Sequence, residues 1–378
     1  MTERREGYFL YHSIGQYPGK EADLSDAMAE LAAVWSAPDD QQWTYMLGKR
    51  AEFIDLWRGL IGASPGSTTT CESVTQGVHM LLTALPGEQL RGRKVLVASD
   101  CFPSNHFLLS RLQERLGFDL QTVYPRQGAA WVSDEDMIVE WDRDVALALI
   151  TWVSSTTSRK ADLDALVSHG RDMGSIIGVD ITQASGLLPF SVSDPEVDFV
   201  VSTSLKWMCG TPGAGILYVR PEQINACRPE VCGWFSQDNP FNWDISAFEY
   251  APDIRRFDNG TPGIMPAAAT VPALKWHAAS DQRALLHHNR LLSDLLIEGA
   301  DDLDLDLVSP RNADARGGSV MIDMASGERA AKTLADLNAA GFSADIRSAT
   351  LRLSPGVQTT EEATRELLSV LSTSLNGS

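Results

Sequence analysis

The stretch VDFVVSTSLKWMCGTPGAGILYVR, residues 197–220, is where the reading of this chain begins. Two short apolar runs of β character, 198–202 and 215–219, flank a polar turn holding one lysine, Lys206, followed by a loop rich in Gly and Pro. Just upstream, GVDITQ (178–183) ends another apolar run on a carboxylate, Asp180. Further runs recur at 94–98 (KVLVA), 145–151 (VALALIT) and 175–180 (SIIGVD), with helical patterns at 75–85, 106–116 and 163–173 between several of them. That alternation predicts an α/β architecture on a mostly parallel sheet, with ligands at the C-terminal ends of its strands.

Outward from this region the texture changes twice. Residues 1–62 predict an extended arm, β-like at Tyr8–Tyr11, then helices over 23–35 and 49–61. Residues 63–262 form the larger unit. Beyond GTPG (260–263) the chain predicts a long helix from 266 to about 295, strands at 304–308, 319–322 and 350–353, and helices at 327–340 and 360–375. The expected division is therefore 1–62, 63–262 and a smaller α+β unit at 263–378.

A chain of 378 residues can bury two substantial cores. Its formal net charge of −19 argues against nucleic acid or an anionic membrane as partner, since both need a basic footprint. The five cysteines lack the spacing of a disulfide framework or zinc site, so no metal is expected and a reducing compartment fits. The first residues, MTERREGYFLYHS, lack the apolar core of a signal peptide, and no apolar run reaches the ~18 residues of a membrane span. A cytoplasmic protein is expected.

A lysine on a strand-following turn and a carboxylate one strand earlier, 206 − 180 = 26 residues apart, is the layout of a pyridoxal phosphate (PLP) site. That cofactor needs an amine to condense with and an acid to keep its ring nitrogen protonated. Taken singly, Asp180 could cap a turn and Lys206 could be a solvated surface lysine; the small hydroxyl residues and Trp207-Met208 around Lys206 speak for the site. Ser73-Val74-Thr75, opening the first helix of the α/β region, offers a helix N-terminus for a phosphate, or only an N-cap. Phe102, after KVLVA, is a candidate to stack on the ring, or a core phenylalanine. Arg352 sits mid-strand among apolar residues and calls for an anion, either a substrate carboxylate or one of the chain's fifty acids; Arg347 is a second choice.

With these residues in hand, the chain resembles the fold-type I PLP enzymes of the class V aminotransferase group and, within it, kynureninase. The resemblance runs through YFLYHSIG (8–15), ESVTQGVHMLL (72–82), FPSN (102–105), VDITQASG (179–186), STSLKW (202–207), CGWF (232–235), RFDNGTPG (256–263) and LRLSP (351–355). It implies a large domain with a mostly parallel seven-stranded sheet and a smaller C-terminal domain. It implies Lys206 as the Schiff-base lysine and Asp180 as the pyridinium partner. Val74, Thr75 and Ser202 or Ser204 are implied at the phosphate, Phe102 on the ring, and Ser104, Asn105, Thr151 and Gln183 around it. Trp234 and Thr261 are implied to complete the phosphate site across a homodimer interface, and Arg352, with Ser13 nearby, to hold the substrate. Trp35, Trp43 and Trp234 are further candidates to shape the substrate pocket.

Three positions depart from the pattern: Leu205 stands where kynureninases carry Tyr, Gln183 where they carry His, and Asn105 where they carry Asp. Cysteine desulfurases share a Gln at position 183, but the nucleophilic cysteine they need is missing from 339–355. The expected activity is hydrolytic Cβ–Cγ cleavage of kynurenine or a related γ-keto amino acid. The alternatives are β-elimination of the C–S type or transamination at the same site, and a non-catalytic PLP-fold protein.

Overall fold

A computed structural model describes residues 5–376; the ends of the expected arm and C-terminal unit, 1–4 and 377–378, lie outside them. Seven strands form the main sheet: β1 (Thr68–Cys71), β2 (Lys94–Ala98), β3 (Asp119–Val123), β4 (Val145–Thr151), β5 (Ile176–Asp180), β6 (Phe199–Thr203) and β7 (Gly215–Val219), in the order β1-β7-β6-β5-β4-β2-β3. Neighbours from β6 to β3 pair in parallel, whereas β7 runs antiparallel to both β6 and β1. This is the fold-type I α/β architecture.

Helices cover both faces, which is why β4 reads as an unbroken apolar run: six of its seven residues are buried. Two strands of this sheet went unread in the sequence for opposite reasons. The run TTTC of β1 is β-branched but polar, and DLQTV of β3 lies at a half-exposed edge.

The second sheet is a three-stranded antiparallel one, β8 (Val320–Asp323), β10 (Thr350–Leu353) and β9 (Asp345–Arg347) in that order. Its core gathers Leu296, Val320, Leu351 and Leu367 from sheet and helices alike. Two expectations fail here. The long helix is two helices, Met265–Ala279 and Gln282–Asp302, because Asp281 accepts from the amides of Arg283 and Ala284 and starts a new N-terminus. The strand expected at 304–308 is reduced to a single bridge, Leu307 to Ile322, after Asp304 takes a left-handed turn with φ 53°.

The two sheets are tied together by the N-terminal arm. Phe9 is fully buried in the core of the small sheet, Tyr11 packs in the core of the large one, and Ala267, Val271 and Leu274 of the helix Met265–Ala279 also join the large core. No helix among the described residues is long and apolar enough to cross a membrane.

Candidate active site

Parallel strands deliver side chains to their C-terminal ends, and here β4 and β5 end side by side on Thr151 and Asp180, while β6 runs two residues past Val201, the partner of Asp180, to end on Thr203. With the turn at Lys206 and the helix starting at Val74 they wall a cavity of about 620 Å³. Its far side is closed by the arm, through His12 and Ser13, and by Arg347 and Arg352 of the small sheet.

Asp180 is 5 % exposed, and both carboxylate oxygens are held: Oδ1 accepts from the Thr182 amide at 3.0 Å and Oδ2 from Asn105 Nδ2 at 3.2 Å. Asn105 is fully buried, so it aims the carboxylate rather than lining the cavity. Lys206 Nζ makes no hydrogen bond or ion pair among the described residues and lies 5.2 Å from the centroid of the Phe102 ring. Burial pushes its pKa down to about 8, a drop that the attraction of Asp180 opposes and the charges of Arg352 and Arg347 reinforce.

The turn carrying Lys206 is clamped by the arm. The Gly15 amide donates to the Leu205 carbonyl at 3.0 Å, and a Cβ at Gly15 would meet the Lys206 carbonyl oxygen at 1.9 Å, so only glycine fits. Gln183 is fixed from two sides, donating to the His12 carbonyl at 3.0 Å and accepting from Trp207 Nε1 at 3.2 Å.

Ser73 caps the helix Val74–Ala84 by accepting from the Gln76 amide. Ser73, Val74 and Thr75 all line the cavity, which puts a helix N-terminus at its edge. Ser104 lines it as well.

Arg352, 7 % exposed, donates through Nε (2.7 Å) and Nη2 to the two oxygens of Asp345, and through Nη1 to the Ser155 carbonyl at 3.2 Å. Behind Asp345 stands His12, with Nε2 3.2 Å from its Oδ1 and Nδ1 2.6 Å from Ser354 Oγ, which in turn meets Ser319 Oγ at 2.6 Å. Burial alone would raise Asp345, but the hydrogen bonds from His12 and Arg352 outweigh it and hold the carboxyl at about 2. Burial lowers the His12 pKa, the Asp345 hydrogen bond opposing. Of the two anions expected for Arg352, the structure shows the ion pair with one of the chain's own acids, Asp345, and Arg352 also borders the cavity.

Besides Asn105, six expected residues lie off the cavity lining. Ser202 meets Ser185 Oγ at 3.1 Å and Ser204 accepts from Trp57 Nε1 at 3.0 Å; both are fully buried, and Thr203 between them takes the place at the cavity because side chains alternate along a strand. Trp234 and Thr261 do not line the cavity of a single chain. Trp234 instead belongs to an aromatic group with Trp43, itself packed on Trp35, and with Trp243, and none of these tryptophans borders the cavity. His12, Ser155, Thr182 and Asp345 were missed, the first and last being ordinary polar residues in sequence that gain meaning only once arm and small sheet meet.

The aminotransferase class-V model matches residues 55–343. The chain belongs to that family. Among curated relatives, kynureninase of Bacillus cereus is 28% identical over 344 residues, 88% of this chain and 78% of that protein, and kynureninase of Rattus norvegicus is 23% identical over 336 residues, covering 82% and 71%. Among solved structures, the apo cysteine desulfurase of Thermococcus onnurineus NA1 superposes with a TM-score of 0.86 at 20% identity (98% of this chain, 95% of that one). A complex of the cystine C-S lyase C-DES with cysteine persulfide reaches 0.84 at 19% identity, with 98% of each chain covered. At those identities the structures speak for the fold.

PLP is the cofactor of this family, and the cavity suits it. The hydroxyls of Thr151, Ser155 and Thr182 are buried on its lining with no protein partner. Each such group costs about 1–3 kcal/mol unless a ligand satisfies it, and with a helix N-terminus, a carboxylate and a bare amine they make a set suited to a phosphorylated pyridine aldehyde.

Proposed function

We propose that this chain is a PLP-dependent enzyme acting on an amino acid, and that its reaction is kynureninase-like hydrolysis of the Cβ–Cγ bond of kynurenine or a related γ-keto amino acid. The observation carrying this reading is the cavity shared by Lys206, Asp180 and Arg352, in a chain similar to kynureninases over 88% of its length. When bound, the cofactor supplies an electron sink for the bond broken at Cα. Asp180, aimed by Asn105 and the Thr182 amide, holds the ring nitrogen's proton. Thr75 and the Val74 amide would hold the phosphate, Phe102 would cover the ring, and Thr151, Ser104 and Gln183, which also line the cavity, would flank it. Lys206, with its depressed pKa, is partly unprotonated near neutrality and takes the Cα proton as general base. Arg352 keeps the end of its guanidinium that faces away from Asp345 for the α-carboxylate, next to Ser13. Water then adds at the γ-carbonyl, and alanine and an acid leave.

The active form we infer is a homodimer in which Trp234 and Thr261 approach the partner's cavity. The exposed Phe241 (72 %) and Trp243 (75 %) near Trp234 form an apolar surface of the kind that copies of a chain bury together. We place the protein in the cytoplasm.

Leu205, which lines the cavity in place of a phenol, favours a second reading, β-elimination or transamination at the same site. Desulfuration through a cysteine nucleophile is disfavoured: none of the five cysteines lines the cavity, and burial holds Cys71, Cys101 and Cys209 at about 12. Supplying L-kynurenine and its 3-hydroxy form to the PLP-loaded protein and quantifying alanine and the anthranilate product tests the hydrolase. Stoichiometric alanine is expected; turnover of neither compound would end that reading and leave the lyase and transaminase.

A further inference from the structure

We propose that Arg347 is a second anion-binding group of this cavity, so that among the amino acids it accepts, γ-keto ones included, those whose side chain carries its own carboxylate or a comparable anion bind more tightly than neutral ones. This deepens, and rests on, the reading of the cavity as an amino-acid site.

The argument starts from strand register. β9 and β10 pair Asp345 with Arg352 and Arg347 with Thr350. Asp345 and Arg347, two residues apart, share one face of β9, which makes Arg347 and Arg352 diagonal neighbours about 7–8 Å apart. Both border the cavity. Their situations differ. Arg352 is buried with Nε, Nη1 and Nη2 all donating within the protein. Arg347 is exposed, borders the cavity and makes no hydrogen bond or ion pair among the described residues.

Charge counting sharpens the difference. One carboxylate, Asp345, serves two guanidiniums, and its geometry commits it to Arg352 and His12. The other acids on the lining, Asp180 and Glu72, stand at the end of β5 and beside the helix N-terminus at Ser73, on the cofactor's side. The surroundings of Arg347 disfavour its charge: burial and then Arg352 lower its pKa, and Asp345 offsets them only in part. An α-carboxylate on the free edge of Arg352 leaves Arg347 unmatched. A second anion on the same ligand relieves it, with Leu205, Val153 and Pro212 of the lining to take the hydrocarbon between.

The test compares two amino acids of equal chain length on the PLP-loaded enzyme: L-2-aminoadipate, with a terminal carboxylate, and L-norleucine, with a terminal methyl. Dissociation constants come from the change in the visible absorbance band, checked by titration calorimetry, for wild type, R347A and R347K. The expected result is aminoadipate bound at least tenfold tighter by wild type, the preference erased in R347A with norleucine affinity unchanged, and partly kept in R347K. Equal affinities in wild type would overturn the proposal, as would R347A weakening both ligands alike, which would make Arg347 a co-binder of the α-carboxylate. If norleucine shifts the band and aminoadipate gains nothing, only this proposal fails; if neither shifts it, the amino-acid reading of the cavity fails with it.

Discussion

The two walls of the cavity are built on opposite plans. The cofactor wall comes from adjacent strands of one parallel sheet, and it leaves its reactive groups unpartnered: Lys206 Nζ is bare and the hydroxyls of Thr151 and Thr182 have no protein partner. The carboxylate wall is assembled from the arm, a two-strand ladder and the Ser155 loop, and there Arg352, Asp345, His12, Ser354 and Ser319 form one connected chain of close polar contacts. The first wall stores unsatisfied polarity that a cofactor relieves. The second spends its polarity on holding one guanidinium still. A cofactor therefore gains affinity from groups waiting for it, whereas a substrate carboxylate gains selectivity from a donor already aimed.

If that contrast holds, damage to the first wall destroys chemistry and damage to the second weakens binding. Asp180→Asn removes the charge facing the ring nitrogen while keeping the side chain's size and shape; kcat should fall by about 10²–10³-fold, the cost of losing one preorganised electrostatic partner, with the protein still folded by circular dichroism. A kcat within threefold of wild type would break the comparison at its strongest point. Gly15→Ala forces a methyl onto the Lys206 carbonyl, where backbone cannot yield easily. A loss of about 1–3 kcal/mol in stability is expected, read as a lower Tm, together with weaker PLP retention.

Asp345→Asn tests the second wall. It halves the grip on Arg352, and KM for amino acids should rise about tenfold, about 1.4 kcal/mol, with kcat changed little. An equal fall in kcat would mean that Asp345 serves the chemistry.

The smallest effect concerns the bare amine. Lys206 has a folded pKa near 8 against an ordinary 10.5, so between those values the unfolded chain binds more protons. Stability of the PLP-free protein should rise as pH climbs from 8 to 10.5, and this rise should vanish in Lys206→Met. At pH 7 the same variant should be stabler than wild type by on the order of 1 kcal/mol, because a partly buried charge has been removed. A PLP-free Lys206→Met protein less stable than wild type at pH 7 would show that the amine is not strained there.

The same contrast explains what was legible in the sequence. Local signals sufficed for the first wall: apolar runs ending on Asp180 and followed by Lys206 placed both at strand ends, and Ser73 before an apolar helix marked a cap. Parity was the fine detail that slipped, since Ser202 and Ser204 look as suitable as Thr203 until the strand's alternation assigns the faces. The second wall depends on contacts across more than 300 residues, such as His12 with Ser354, and on a three-residue strand, DIR, too short to carry a period. Arg352 could be seen to need an anion, but which one lay beyond any local pattern. The break in the long helix at Asp281 was visible as a capping residue and was masked by apolar continuity on either side.

The central claim is that the Lys206 amine is the point of attachment for PLP. Reducing the PLP-loaded protein with borohydride, digesting it and locating the pyridoxyl group by mass spectrometry tests this most directly. The account predicts a single modified peptide with the group on Lys206; a pyridoxyl group on another lysine, or on none, would contradict it.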